Sequence, residues 1–309
     1  MKAYSLGGYS MRQYIEISHE LYATKTLENY WRRPVFVVRA LLHNRHMQEL
    51  IHFFAADSML KHLPLTRKYA FEQAARHWFY RQSNFWGRIK LIKEHYSLFV
   101  SLIKKDALQH IYSGGSVILW EQDYKGGRLQ MEVCFHDCHK KEGLLAIELK
   151  LDGERIQQVT FWGGYETGQE PAIWIGALQG APDGRQMNHD LTKFCFGYRP
   201  HNLVLYAVRC FVRELGFRHI YAVSNYGFYT GNHLRLDRKL KRSLDMFWQE
   251  IGGTLTEDRR FFALPLEELR KDLSEVKSHK RNLYRQRFAM LDCVDAAISE
   301  AIATKLIGQ

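Results

Sequence analysis

The chain has 309 residues, a formal net charge of +11, and a composition that is 46% hydrophobic and 14% aromatic. That supply of apolar side chains excludes global disorder and is enough for one large or two modest domains. The positive balance favours an anionic partner, such as a phosphate-bearing cofactor or an anionic membrane face. Basic residues scattered along the chain without a binding motif speak against nucleic acid. Five cysteines, an odd number in a long chain, do not read as a disulfide framework and point to a reducing compartment. The start, Met1 to Tyr9, lacks the apolar stretch of a secretory signal, and no uninterrupted apolar run reaches the ~18 residues of a spanning helix. The expectation is a cytoplasmic protein, with peripheral contact to the inner membrane left open.

Residues 1–112 read as helical. Gly7-Gly8 is an early break, Arg32-Arg33-Pro34 offers a proline for a first helical turn, and Val35 to Phe54 carries apolar residues at helical spacing. Leu65 to Tyr80 follows as a third helix. Over Arg88–Lys105, Ile89, Ile92, Tyr96, Phe99 and Ile103 share a face and Lys90, Lys93, Lys104 and Lys105 lie off it. Such a helix either packs on a core or lies on an anionic membrane.

From Gly114 the period changes to two. Strands are expected at Ser116–Glu121, Leu129–His136, Leu144–Leu151, Arg155–Tyr165 and Ala172–Gln179, with turns at Gly126-Gly127 and Asp152-Gly153, which together make an antiparallel meander. A helical stripe at Leu203, Tyr206, Ala207, Cys210, Phe211 and Leu215 ends at Gly216, a C-terminal cap. A strand at Ile220–Val223, a helix over Asp237–Glu250, a closing strand at Phe261–Leu264 and a helical tail from Leu266 complete the chain. The fold class is therefore α+β, with a helical region (1–112), an α+β domain (113–265) and a helical C-terminal tail (266–309).

This order of elements resembles the Gcn5-related N-acetyltransferase fold. There, a central strand splays from its neighbour and the next helix points its N-terminus at the pyrophosphate of an acyl carrier, where unpaired N–H groups and the helix dipole favour an anion. Mapped onto this chain, Ala172–Gln179 is the splayed strand and the phosphate helix starts near Tyr198-Arg199-Pro200. The compact Gln/Arg-x-x-Gly-x-Gly/Ala loop of that fold is absent. A long insertion separates Gly180 from Gly197 instead.

A second resemblance rests on Ile175-Gly176-Ala177-Leu178-Gln179-Gly180, Thr192-Lys193, Gly197-Tyr198-Arg199-Pro200 and Ala222-Val223-Ser224-Asn225. With these four elements in order, the chain resembles the VirK/YbjX family of Gram-negative bacteria. The resemblance implies a domain of unknown biochemical activity, associated with virulence and with resistance to antimicrobial peptides that attack the envelope. It implies no catalytic residues.

The candidate chemistry is acyl transfer from an acyl-coenzyme A or acyl carrier protein thioester to an amine or hydroxyl of an envelope component. His189, beside Asp190, is the expected base and Tyr229 the expected acid. Gln179, Gly180, Thr192, Lys193, Gly197, Arg199 and Asn225 are the expected carrier contacts. Glycine permits close backbone approach, and a guanidinium fork suits phosphate. The alternative is a non-catalytic envelope-stress factor that binds anionic lipid or a protein partner through basic helices. Cys134, His136 and Cys138 alternate like half a zinc site, with His139 adjacent. No second pair with matching spacing follows, so no metal is expected.

Overall fold

The computed structural model describes residues 4–24, 26–166, 168–182, 184–232 and 243–307. Its N-terminal third is helical, as α1 (Tyr4–Leu21), α2 (Leu27–Leu42), α3 (Asn44–Ala56), α4 (Pro64–Ala75), α5 (Phe85–Leu102) and α6 (Lys105–Tyr112). Gly7-Gly8 does not break α1, which runs through it. Helix starts are capped locally: Thr26 Oγ1 accepts from Asn29 N–H at 3.3 Å, and Asn84 Oδ1 from Gly87 N–H at 2.7 Å. Helix α5 is a core helix. Ile89, Ile92, Tyr96 and Phe99 are buried as the stripe requires, but so are Arg88, Leu91, His95 and Leu98. The membrane-facing reading of residues 88–105 therefore fails, because the apolar stripe is covered by protein.

The period-two region forms β1 (Ser116–Tyr124), β2 (Gly127–Cys134), β3 (Leu145–Leu151), β4 (Glu154–Tyr165) and β5 (Pro171–Gly180), paired antiparallel in sequence order. Two hairpins turn at Lys125-Gly126 and Asp152-Gly153, and both residues of each pair have positive φ. That geometry matches the right-handed twist of the flanking strands. The insertion after Gly180 is a helix, α7 (Arg185–Phe194). It has one fully buried side chain, Leu191, so it carries no apolar stripe that a sequence would reveal.

Helix α8 (Pro200–Glu214) then leads through Gly216, at φ +81°, to β6 (His219–Val223). After α9 (Leu244–Glu250) come the short β7 (Thr254–Leu255) and β8 (Phe261–Leu264). Of the helix expected over Asp237–Glu250, residues 237–242 lie outside the described residues. The expected tail helix begins late: α10 spans Ser278–Ala301, and residues 265–277 are irregular. Side-chain bonds hold that segment across α8 in place of a helix. Tyr198 donates to Glu268, and Arg270 reaches Tyr206 at 3.3 Å and Asp292 at 2.7 Å.

All eight strands form one sheet in the order β1-β2-β3-β4-β5-β6-β8-β7. Among the described residues the single parallel pair is β5 with β6, matched from Ala172/His219 to Ile175/Ala222. Beyond that point β5 continues to Gly180 while β6 ends at Val223, so the two strands part. Helices α8 and α10 cover one face, with Phe161 of β4 packed 5.9 Å from Phe211. On the other face lies an aromatic ladder. Tyr80, Trp162, Trp174 and Tyr221 stack in succession at 6.2, 6.5 and 5.5 Å.

Where β5 leaves β6 it also bulges. Thr160 pairs with Ala177 but Phe161 pairs with Ile175, which leaves Gly176 unmatched. The loop before β3 crosses the sheet there, and a Cβ on Gly176 would overlap the backbone carbonyl of Glu142. Gln73 of α4 fastens this loop, donating to Lys140 O at 2.9 Å and Gly143 O at 3.0 Å, and Phe79 N–H donates to Lys141 O at 2.8 Å. Gly176→Ala must therefore push backbone against backbone, and is expected to cost about 3 kcal/mol in urea unfolding. A Gly176→Ala protein as stable as wild type would contradict this packing.

Candidate functional site

A row of polar residues crosses the meander on the face away from α8. The register places Glu132, Glu148, Gln158 and Gln179 opposite one another on β2, β3, β4 and β5. Alternating strands read such a row as the solvent side, yet Glu132, Glu148 and Gln158 are buried. Buried polar groups of this kind persist only when paired, and these are. Lys150 Nζ lies 2.7 Å from Glu132 and 3.3 Å from Glu148. His136 N–H donates to His139 Nδ1 at 3.0 Å, so His139 Nε2–H is the donor to Glu148 Oε1 at 2.9 Å. Burial works against the Glu148 anion, but hydrogen bonds from His139 and Lys150, with the charge of Lys150, outweigh it and lower its pKa to about 2.

The row continues towards the bulge with a fixed direction. Arg155, which can only donate, reaches Gln158 Oε1 at 2.6 Å. That turns the Gln158 amide nitrogen towards Gln179 Oε1, 3.1 Å away, and turns the Gln179 nitrogen towards Glu142 Oε1 at 3.5 Å. The carboxyl of Glu142 also shares a side-chain hydrogen bond with Tyr229, from the 3-10 turn Tyr229–Asn232. Glu142 is 4% exposed. Burial raises its pKa to about 7, against the lowering effects of Lys141, Tyr229 and Gln179. A carboxyl that gains and loses its proton near neutrality, bonded to a phenol, is suited to general acid–base work.

Two of the residues singled out by sequence, Gln179 and Tyr229, thus meet on Glu142, which sequence reasoning missed. It lies between the expected strands Leu129–His136 and Leu144–Leu151, among Lys140, Lys141 and Gly143, where no periodicity marks a buried carboxyl. The other candidates sit elsewhere. His189 is on α7, more than half exposed, with its ring 3.4 Å from Asp190. Neighbouring Asn188 accepts from Gln157 at 2.8 Å. Gln157 and Gln158 point to opposite faces of β4, so α7 lies on the face away from Glu142 and His189 does not face Tyr229.

Gly180 ends β5, opposite Gln157. Thr192 bonds back to Asn188 O at 2.6 Å, and Lys193 is exposed. The Gly197 amide donates to Thr192 O at 2.7 Å, and its φ of +77° serves the turn between α7 and α8. That amide is therefore unavailable as a phosphate cradle. Arg199, at the N-cap of α8, pairs with Glu250 on the surface. Asn225 caps α9: its Oδ1 accepts from Leu244 N–H at 2.8 Å and its Nδ2 donates to Ser243 Oγ at 2.9 Å.

For a metal, the candidate ligands are Cys134, His139 and Glu148, whose donor atoms lie within 4.8 Å of one another. This is not the alternating set of the sequence. Strand β2 ends at Cys134 and residues 137–139 form a 3-10 turn, which brings His139 inward and leaves Cys138 exposed. Both His139 nitrogens are engaged and Lys150 and Arg155 flank the carboxylate, so the charge a cation would neutralise is already matched. All five cysteines are free, and among the described residues no helix is long and apolar enough to cross a membrane.

Residues 25–300 match a family described as "Protein of unknown function (DUF535)". The chain belongs to this family, the VirK/YbjX family. An uncharacterized protein of Escherichia coli K12, YbjX, is 26% identical over 212 residues, covering 67% of this chain and 64% of the relative. An uncharacterized protein of Haemophilus influenzae Rd is 27% identical over 195 residues, 60% of this chain and 63% of that protein. The chain thus aligns with somewhat less than two thirds of each relative's length. No solved structure matches it.

The raised pKa of Glu142 carries a stability consequence. Between pH 4.5 and about 7 the folded chain holds a proton that the unfolded chain has lost, so stability falls as pH rises through that window. The loss approaches about 3 kcal/mol above pH 7. Glu142→Gln removes the titration, so the variant should gain on wild type in thermal denaturation at pH 8 and match it near pH 5. An unchanged difference between the two pH values would show that Glu142 does not titrate as described.

Proposed function

We propose that this protein is an acyltransferase-like enzyme whose reacting centre lies at the parting of β5 and β6. The observation that carries this is the buried Glu142 carboxyl, with a pKa of about 7, bonded to Tyr229 and Gln179 beside that divergence. The strand order supports the reading. A run of antiparallel strands, one parallel pair that separates, and a strand inserted beside β6 are compatible with the acetyltransferase-like order that the resemblance implies.

In this reaction the Glu142 carboxylate takes a proton from an amine or hydroxyl as it attacks the thioester carbonyl. The carbon–sulfur bond breaks and the departing thiolate takes the phenolic proton of Tyr229. Glu142 returns its proton to Tyr229 along their hydrogen bond, which closes the cycle. Carrier phosphates would be met by Arg199 and Lys193, since the exposed Arg199–Glu250 pair costs little to open. The donor is acyl-coenzyme A or acyl carrier protein. The acceptor would be a component of the bacterial envelope, which fits the virulence and antimicrobial-peptide resistance that the family resemblance implies.

Purified full-length protein incubated with labelled acetyl- and long-chain acyl-coenzyme A, acyl carrier protein and amine acceptors is the direct assay. Glu142→Gln should lower turnover by about 10²-fold or more and Tyr229→Phe by a similar factor. His189→Ala should leave it near wild type. The rising limb of kcat/KM against pH should fall near 7, where Glu142 ionises. Failure of every thioester to bind or turn over, or full activity in Glu142→Gln, refutes the proposal.

A further inference from the structure

Helix α2 presents an apolar stripe to solvent. Leu27, Trp31, Val38 and Leu42 are 78, 71, 54 and 75% exposed, and Val35 and Tyr30 are exposed beside them. At 100° per residue, Leu27, Trp31, Val35, Val38 and Leu42 fall within one quadrant of the helix. The opposite side, Phe36 and Ala40, is the one packed on the protein. Single exposed apolar residues are ordinary, but five on one face of one helix are a surface that water disfavours.

The flanks of the stripe are basic. Helix α2 holds Arg32, Arg33 and Arg39 against a single acid, Glu28. Along one flank runs a groove of about 510 Å³, lined by Trp31, Arg32, Arg39, Arg76, Trp78 and Glu28 among others. Arg39 Nη1 is held by Ala75 O at 2.9 Å, and the Arg76 guanidinium lies 5.1 Å over the Trp78 ring. Glu28 pairs with Arg32. The two other guanidiniums repel one another. The charge of Arg76 adds to burial in lowering the pKa of Arg39. An anion entering the groove relieves that repulsion.

We propose that α2 docks this protein on an anionic phospholipid membrane. The stripe enters the headgroup–acyl boundary and one lipid phosphate sits in the groove between Arg39 and Arg76. The chemistry fits this occupant better than a second copy of a chain with net charge +11, whose like-charged flanks would oppose each other. Tyr30 and Trp31 are the amphipathic rings that anchor an interface, and the arginines face the headgroups. This surface is separate from the Glu142 centre, so the proposal stands whether or not that centre transfers acyl groups.

The test is cosedimentation of the full-length protein with phosphatidylcholine vesicles, with and without phosphatidylglycerol. Binding is expected only with phosphatidylglycerol and should weaken with salt. Val38→Glu/Leu42→Glu, at exposed positions, should keep the wild-type melting temperature and reduce vesicle affinity by more than about tenfold. Arg76→Gln should reduce it about fivefold, near the worth of one basic residue at such a surface. If Arg76→Gln alone loses stability, Arg32→Gln reads the same charge dependence at a second position on the groove. Changing Lys90 and Lys105 to Glu should leave binding unchanged. The proposal is overturned if no vesicle binds, or if binding survives Val38→Glu/Leu42→Glu. It is also overturned if light scattering finds a dimer that those changes dissociate while vesicles remain unbound. Competition by glycerol 3-phosphate without any vesicle binding would assign the groove to a soluble phosphate and overturn it likewise.

Discussion

The structure turns on one close approach, that of the Glu142 backbone to Gly176. Strand β5 must pair with β4, part from β6 and still let a loop cross its face. The bulge at Gly176 makes that crossing feasible, because no side chain stands between the loop and the strand. The carboxyl of Glu142 is buried as a consequence of this contact, and its proton affinity is set by that burial. Gly143 repeats the constraint, since a Cβ there would overlap the Phe161 backbone. Two glycines on crossing segments thus fix where the Glu142 carboxyl sits.

The polar row behind Glu142 has an electrostatic logic. Glu132 and Glu148 face Lys150, Arg155 and His139, so the buried charges are paired. At the Glu142 end the hydrogen bonds come from a neutral amide and a phenol, and the charge of Lys141 does not outweigh burial. The two carboxyls Glu148 and Glu142 are therefore driven in opposite directions by their partners, one to about 2 and the other to about 7. Carboxyls whose environments push them apart can take different roles, one a permanent anion that orders donors and the other a proton carrier. The amide relay through Gln158 and Gln179 transmits the orientation set by Arg155, since each amide must present nitrogen to its next neighbour.

What the sequence revealed was mostly local. The hairpin at Asp152-Gly153, the stripe of α8 and the cap at Gly216 depend on residues a few positions apart, and each appears where its pattern places it. Gln179 and Tyr229 were visible because they lie at strand ends or just beyond them. Glu142 was not, since its environment comes from α4, β5 and a turn near residue 229, all distant in sequence. Period-two alternation identifies the two faces of a strand but not what covers them. The alternation therefore gives no sign that Glu132, Glu148 and Gln158 are buried, as they are. The same limit applies to helices: of the two readings open for α5 the structure takes the core one, while the exposed apolar stripe of α2 had no sequence signal of its own.

Residues 73–79 join the two surfaces of interest. Gln73 and Phe79 hold the loop that carries Glu142, while Ala75, Arg76 and Trp78 border the groove beside α2. The connection is short and hydrogen-bonded at both ends, with Arg39 bound to Ala75 O and Phe79 N–H bound to Lys141 O. Coupling between sites requires an element with two arrangements that both sites bias, and a segment so fully bonded offers one. Its effect is positional. The α2 surface and the Glu142 centre share a rigid foundation, so a membrane bound at the groove would hold the opening between β5 and β6 at a constant height and orientation. On the two proposals taken together, an acceptor anchored in that membrane would meet the centre with its rotational freedom already restricted, which is the form of assistance that lowers a bimolecular barrier without any conformational switch.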